Sequence, residues 1–146
     1  MRYNLEGAGS DGKTLLNLEL EQVENLVEIN RYRFDRELCL EIRLSKGPEG
    51  LRIIPLVLIT LTENLFKHGH LTDPYHPALL EVSTDERGLM SYSTRNRKKA
   101  KSTDKRTSSL GLENTRIRLQ HSYPGRYTLN IQEDQNFFEL QLTLLL

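Results

Sequence analysis

The sequence predicts an α+β fold, a two-layer α/β sandwich in which helices cover one face of a mixed, mostly antiparallel sheet. Three observations support this prediction. One long segment has apolar residues at helical spacing, several short segments alternate apolar and polar residues, and turn residues separate neighbouring strands. A chain of 146 residues is long enough to bury such a core in one domain.

Three helices are predicted. In residues 16–34 the apolar side chains recur at intervals of three and four, which gives an amphipathic helix. A second helix runs from Pro55, a residue that suits a first helical turn, to His68, and Gly69 suits its C-terminal cap. The third helix covers residues 111–123, where spaced leucine and isoleucine residues are available for packing.

Strands are predicted where short alternating or apolar runs are bounded by turn residues. These runs are residues 37–44, 51–54, 78–85, 88–94, 127–134 and 136–146. Hairpin turns are expected at Glu86–Gly88 and at Asp134–Gln135. Residues 95–109 are polar and without period, and we predict a mobile loop there. Residues 1–13 are predicted to be a connector, and the domain itself to cover residues 14–146.

Charge is distributed unevenly although the formal net charge is zero. Residues 95–106 carry seven basic side chains and one acidic one, so this segment has a charge of about +6 and the remainder about −6. A basic loop on an acidic domain favours a local anionic ligand over a broad nucleic-acid surface, and aromatic residues for base stacking are scarce nearby. The single cysteine, Cys39, excludes an internal disulfide and is interpreted as a small core residue.

The stretch "LTENLFKHGH", residues 61–70, places several reactive groups on the second predicted helix. Asn64, Lys67 and His68 share one face because they are three and four residues apart, and Glu63 lies about 100° from Asn64 around the axis. The amide oxygen of Asn64 suits Mg²⁺, and the Lys67 and His68 side chains suit phosphate oxygens. The Glu63 carboxylate could orient water or a hydroxyl group.

Two other interpretations of this stretch remain open. The polar residues could be the solvated face of an amphipathic helix. A zinc site would use His68, His70 and His76, but these histidines lack the usual helical spacing of ligands and have no matching cysteine or acidic partner.

A second candidate region is "SSLGLENTRIRL", residues 108–119. Gly111 is predicted to lie in a turn at the start of a helix, where free backbone amides and the helix dipole favour phosphate. The alternative is an ordinary junction between a loop and a helix. The basic segment of residues 95–106 becomes a third candidate region because it directly precedes the predicted glycine turn.

Three segments, in this order, resemble the ATP-binding domain of sensor histidine kinases of the LytS type, within the GHKL (Bergerat-fold) superfamily. "IPLVLITLTENLFKHG" resembles the N-box helix IPPLLLQPLVENAxKHG, and "LGLENTRIRLQHSYPGRYTLNI" resembles the G2 segment GxGLxNxxxRLxxxYxxxxxLxI. Upstream, "LNLELEQVENLVEINRYRFDREL" is similar to the linker helix of that family. The similarity covers nearly the whole chain.

The resemblance implies ATP and Mg²⁺ as cofactors and assigns roles to matching positions. Asn64 would ligate the metal, Glu63 would help orient the phosphoacceptor, and Lys67 would act at the phosphates, so these three form the catalytic set. Residues 97–108 match the lid that closes over nucleotide. The implied cofactor-binding residues are Asn64, Lys67, His68, Asn96, Ser109, Gly111, Leu112 and Asn114.

Some positions depart from the family pattern. The aspartate that reads the adenine amino group in this superfamily would fall at Arg95, and the glycines that follow it fall at Arg97 and Lys99. Ser109 replaces the first G2 glycine, and Thr62 replaces a usual valine. Arg95 is hypothesised to contact nucleotide or to close the adenine end. The alternative is a degenerate, non-catalytic regulatory module with weak or no nucleotide binding.

In the intact protein, the resemblance implies transfer of the γ-phosphoryl group of ATP to a histidine on an upstream dimerisation helix that is missing from this chain. The expected partners are that helix in a homodimer and a response regulator, with the LytTR type as a candidate, and no nucleic acid. The full-length protein is expected at the cytoplasmic face of the bacterial inner membrane. The fragment alone is not expected to autophosphorylate.

Overall fold

The computed structural model describes residues 12–34, 37–99 and 105–146, with side chains described from Gly111 onward in the last range. The helices in these ranges are α1 (Leu16–Arg33), α2 (Val57–His68) and α3 (Lys105–Ser122). The strands are β1 (Thr14–Leu15), β2 (Leu40–Leu44), β3 (Arg52–Ile53), β4 (Gly69–His70), β5 (Ala78–Thr84), β6 (Leu89–Lys98), β7 (Tyr127–Glu133) and β8 (Phe137–Leu145).

The main sheet has the strand order β2-β5-β6-β8-β7, and the short strand β4 pairs with the end of β6. β2 runs parallel to β5, whereas the remaining pairs of this sheet are antiparallel. β1 and β3 form a separate antiparallel pair beneath the start of α1. The predicted mixed, mostly antiparallel sheet is therefore confirmed.

One face of the sheet is apolar and carries the helices. Val82, Tyr92 and Leu142 lie opposite one another on β5, β6 and β8, and all three are fully buried. The Tyr92 hydroxyl contacts Thr62 on α2 at 2.9 Å, which places α2 over this face. Because side chains alternate along a strand, the neighbours Ser93 and Gln141 point to the other, wetter face. The two-layer α+β prediction is confirmed.

Both predicted hairpin turns are confirmed. Gly88 adopts a left-handed conformation (φ 88°) between β5 and β6, a backbone geometry that glycine adopts at low cost. Between β7 and β8, the Asp134 carboxylate accepts hydrogen bonds of 2.7 Å from the backbone amides of Asn136 and Phe137. These bonds, which replace missing ladder contacts at the turn, also lower the pKa of Asp134.

The limits of α2 differ slightly from the prediction. The helix begins at Val57 rather than Pro55, because Leu56 adopts a left-handed backbone conformation (φ 72°) that interrupts the helical geometry. At the other end, Gly69 is the residue after the helix, as predicted. Its backbone is extended (φ −82°, ψ 142°) rather than left-handed, and the chain continues directly into β4.

The prediction of a mobile loop over residues 95–109 is wrong at both ends. β6 continues to Lys98, because the backbone there pairs with β8 on one side and with β4 on the other. α3 begins at Lys105, six residues before Gly111. Residues 100–104, the centre of the predicted lid (97–108), lie outside the described residues.

The connector predicted over residues 1–13 falls almost entirely outside the described residues, which begin at Gly12. Among the helices of the described ranges, none combines the length and the hydropathy required to cross a bilayer.

Candidate functional site

The C-terminal half of α2 carries the polar groups singled out in the sequence. Asn64 and His68 are half-buried, and Lys67 is exposed. Within the described ranges, the Asn64 carboxamide makes no hydrogen bond or ion pair, so both of its polar atoms are available to a ligand. The negative end of the helix dipole lies close to this amide, which favours a bound cation.

The end of β6 lies directly beside the end of α2. Asn96 is buried (4% exposed) on the helix-covered face, and its Nδ2 donates a 2.9 Å hydrogen bond to the Arg97 carbonyl oxygen. A Cβ atom added to Gly69 would lie 2.6 Å from the Leu65 carbonyl oxygen and 3.1 Å from Asn96 Nδ2. Glycine is therefore required at position 69, because a side chain would separate β6 from α2.

Lys99 links the chain that leaves β6 to the last turn of α2. Its backbone amide donates to the His68 carbonyl oxygen at 3.2 Å, and its Nζ donates to the Lys67 carbonyl oxygen at 3.0 Å. An ammonium group at a helix C-terminus is favourable because it offsets the dipole. Lys99 belongs to the basic segment of residues 95–106, and no local sequence pattern indicates this contact, because it depends on tertiary structure.

Glu63 faces a different part of the surface from Asn64. Together with Lys67 it lines an open groove between α1 and α2, and the opposite wall contains Asn30, Arg33 and Phe34. We call this the α1–α2 groove. Glu63 is exposed, so its carboxylate is accessible to a group that enters the groove.

The predicted turn at Gly111 is not present. Gly111 is the seventh residue of α3, and its carbonyl oxygen accepts a 2.9 Å hydrogen bond from the Thr115 hydroxyl. The prediction of free helix-start amides at this glycine is wrong, because glycine lowers helix stability by about 1 kcal/mol without ending a helix. Leu112 packs against the core and Asn114 is exposed. Ser109 also lies in α3, but its side chain is outside the described atoms.

Arg95 lies on the opposite side of the sheet from the helices. It is exposed, and its guanidinium carbon is 5.9 Å from the centre of the Phe137 ring, a cation–π arrangement. Since Asn96 occupies the helix-covered face, the alternation of side chains directs Arg95 away from α2. The side chain therefore points away from α2, and the hypothesis that Arg95 contacts nucleotide or closes the adenine end stays a prediction.

The loop after β4 carries a nearly buried carboxylate. Asp73 accepts hydrogen bonds from His76 Nδ1 (3.0 Å), the Tyr75 amide (2.9 Å) and Arg97 Nη1 (2.6 Å). These three donors hold the pKa of Asp73 well below its usual range. His76 thus has a carboxylate partner, and no cluster of three His, Cys, Asp or Glu side chains placed to hold a metal occurs within the described ranges.

Thr62, one of the departures from the family pattern, has a structural role. Its hydroxyl group bonds to the Leu58 carbonyl oxygen (2.7 Å) and to the Tyr92 hydroxyl (2.9 Å). Burial raises the pKa of Tyr92 well above its ordinary value, so this phenol stays neutral. A valine at position 62 would leave the Tyr92 hydroxyl without this partner.

The C-terminal half of α2 thus carries the Asn64 amide, which has no partner among the described residues, and the Lys67 ammonium one turn further on, while Lys99 from the end of β6 contacts the last turn of the same helix. An oxygen donor on the negative half of a helix, with an ammonium group one turn further on, fits a hard divalent ion bound to an anionic phosphate chain. A metal held only by protein side chains would need more ligands than these residues supply.

Comparison with known proteins gives matches among solved structures. No family model and no curated protein matches the chain. Histidine kinase AdeS of Acinetobacter baumannii superposes with a TM-score of 0.61 at 14% identity, over 90% of this chain and 66% of that one. The mycobacterial sensor histidine kinase MprB has a TM-score of 0.56 at 12% identity, over 90% of this chain and 96% of that one.

A third match is full-length ShkA in complex with AMPPNP, with a TM-score of 0.57 at 16% identity over 90% of this chain and 30% of that one. The chain thus spans 66% of the length of AdeS and 30% of the length of ShkA. Such low identities show the architecture alone. The chain has the α+β fold found in these histidine kinases.

Proposed function

We propose that this chain is the ATP-binding catalytic domain of a two-component sensor histidine kinase. The observation that supports it most is the half-buried Asn64 amide, which has no partner among the described residues and lies one helical turn before Lys67 in a fold shared with solved histidine kinases. The AMPPNP complex of ShkA is consistent with a nucleotide as ligand.

The roles we assign follow from the chemistry of each side chain. Asn64 offers its amide oxygen to Mg²⁺, which when bound neutralises charge on the phosphate oxygens. Lys67 and His68 contact the phosphates, and Lys99 adds a second ammonium group at the same helix end. Catalysis of this kind depends mainly on positioning and electrostatic stabilisation.

The base end of the ligand is assigned to the β6 side of α2. Asn96 lies there on the helix-covered face. Its Nδ2 atom donates a hydrogen bond to the Arg97 carbonyl oxygen, which fixes the carboxamide and leaves Oδ1 as an acceptor. Gly111, Leu112 and Asn114 of α3, with Ser109, complete the proposed cofactor-binding set.

Glu63 is assigned to the acceptor rather than to the nucleotide. Its carboxylate lines the α1–α2 groove, so a phosphoacceptor histidine that enters this groove would meet a group able to orient its imidazole ring. In the proposed intact protein that histidine belongs to an upstream dimerisation helix in a homodimer. The proposed subtype is LytS-like, anchored at the inner face of the bacterial membrane, with a response regulator, of LytTR type among the candidates, as the final acceptor.

Calorimetric titration of the chain with Mg·ATP and with Mg·AMPPNP tests the proposal. We expect binding, and we expect Asn64→Ala to weaken it at least tenfold, which corresponds to about 1.4 kcal/mol. Asn130→Ala is the matched control, because Asn130 is an exposed asparagine on β7, remote from α2, and its removal should leave affinity unchanged. Absence of binding at millimolar nucleotide would overturn the proposal in favour of a regulatory module.

A further inference from the structure

The segment that leads into α2 is held by two side chains of the α3 region. The backbone amide of Ile54 donates a 3.1 Å hydrogen bond to the Tyr123 hydroxyl. The Pro55 carbonyl oxygen accepts a 2.6 Å hydrogen bond from Arg118 Nη2. Both contacts join positions more than sixty residues apart in the chain, so they fix the start of α2 relative to α3.

The start of α2 needs such support. Leu56, between Pro55 and the helix, is the one non-glycine residue with positive φ among the described residues, and this conformation is unfavourable for a side chain with a Cβ atom. The helix also has no side-chain hydrogen bond at its N-terminal cap. A charged donor such as a guanidinium makes a strong bond to a carbonyl in a partly buried place, so Arg118 is suited to hold this backbone geometry.

The orientation of α2 at its start decides where Asn64 lies. Asn64 is eight residues beyond Leu56, a distance of about 12 Å along a helix. A tilt of about 5° at the first turn would therefore move the Asn64 amide by about 1 Å. Displacements of this size at a reacting or ligating group are sufficient to reduce function strongly.

We propose that Arg118 is a positioning residue: through Pro55 and the first turn of α2, it sets the place of the Asn64 amide. It touches neither nucleotide nor metal, and it makes the metal-binding amide dependent on the position of α3. The inference rests on the proposed function of Asn64 and names a residue outside the predicted site.

The first test compares Arg118→Met with Arg116→Met. Arg116 lies on the same helix and also donates to a carbonyl oxygen, that of Leu129, but on a strand away from α2. We expect Arg118→Met to weaken Mg·AMPPNP at least tenfold and Arg116→Met to change it less than twofold. Arg118→Lys, which retains a donor, should recover part of the loss. Equal effects of the two methionine variants would overturn the proposal.

A double-mutant cycle separates positioning from general support of the fold. If Arg118 acts through Asn64, then Arg118→Met should cost at least tenfold in the wild-type background and less than twofold in the Asn64→Ala background. An equal loss of affinity in both backgrounds would indicate a purely structural role and would overturn the inference.

A measurement without nucleotide distinguishes this inference from the proposed function. Hydrogen–deuterium exchange should become at least tenfold faster at amides 57–62 in Arg118→Met and remain unchanged in α1. Tyr123→Phe, which removes the hydroxyl group that accepts the Ile54 hydrogen bond, should accelerate exchange at the same amides and is the second variant if the arginine variant does not fold. Unchanged exchange in these amides would contradict the inference, whether or not the wild-type chain binds nucleotide.

Discussion

The Asp73 carboxylate and the Arg97 guanidinium form a 2.6 Å ion pair that fastens the loop after β4 to the end of β6. Asp73 is only 9% exposed, so solvent screens this pair less than a surface pair. Arg97 follows Asn96 directly, and the ion pair therefore holds the part of β6 that lies beside α2.

This pair predicts a specific pH dependence of stability. The donors from His76, Tyr75 and Arg97 lower the pKa of Asp73 in the folded state, whereas an unfolded aspartate titrates near pH 4. The stabilisation is therefore complete above about pH 4 and is lost as pH falls through the lowered pKa of the folded state. Asp73→Asn should lower the melting temperature at pH 7, and the difference from wild type should shrink toward pH 2.5.

Thermal unfolding followed by circular dichroism between pH 2.5 and 7 measures this effect. Glu86→Gln, in the exposed turn between β5 and β6, is the control and should not change the melting temperature at pH 7. A constant difference between Asp73→Asn and wild type over the whole range would show that the carboxylate charge is not the cause.

Two glycines should respond in opposite ways to alanine. At Gly69 the added methyl group would lie 2.6 Å from the Leu65 carbonyl oxygen, so Gly69→Ala should destabilise the fold by about 1–3 kcal/mol. At Gly111, inside α3, an added Cβ atom would meet no heavy atom of the described residues within 4 Å outside its own helix backbone, and Gly111→Ala should stabilise the fold by about 0.5–1 kcal/mol through helix propensity. Urea denaturation gives both values, and a destabilised Gly111→Ala variant would contradict the helical position of Gly111.

The buried hydroxyl pair on α2 and β6 should be energetically coupled. Thr62→Val and Tyr92→Phe each remove one partner of the 2.9 Å contact, and a double-mutant cycle should give a coupling of about 0.5–1.5 kcal/mol. The exposed pair Thr128 and Thr143, which also share a hydrogen bond, is the matched control and should give a coupling close to zero. Similar couplings for the two pairs would show that burial does not strengthen the contact.

Asn96→Asp should destabilise the folded state at neutral pH. The new carboxylate would face the Arg97 carbonyl oxygen with no proton to donate, and a buried clash of two acceptors costs about 1–3 kcal/mol. The loss should be smaller below pH 4, where the carboxyl group regains a proton. Asn136→Asp, at an exposed turn, is the control in the same urea titrations. An equal loss of unfolding free energy at pH 3 and pH 7 would exclude repulsion between the carboxylate and the Arg97 carbonyl oxygen as the cause.

Much of the fold follows from patterns that are local in the sequence. The helical spacing of Leu20, Val23 and Val27 predicted α1 to within a residue or two, and all three are buried. Short alternating or apolar runs likewise predicted the strands β5, β6 and β8. The extension of β6 through Lys98 could not be predicted in this way, because its residues are charged and its pairing partners, β4 and β8, are distant in sequence.

The candidate site also has a part that local sequence predicts and a part that depends on tertiary contacts. Helix geometry alone places Asn64, Lys67 and His68 together, since all three lie on α2. Their proximity to β6 depends on the space left by Gly69 and on the Lys99 contacts, and neither has a local sequence signal. The prediction of a turn at Gly111 was wrong because a single glycine is only a weak indication of a helix start.

The parallel pairing of β2 with β5 determines the smallest piece of this chain that can hold the site. The connection between these two strands contains β3, α2 and β4, and α1 packs against α2 from the N-terminal side. A truncated polypeptide that starts after β2 would keep every proposed ligand-binding side chain but would expose the apolar flank of α2 to water. Engineered minimal versions of the domain should therefore retain the N-terminal helix and edge strand, although neither contributes a proposed contact to nucleotide.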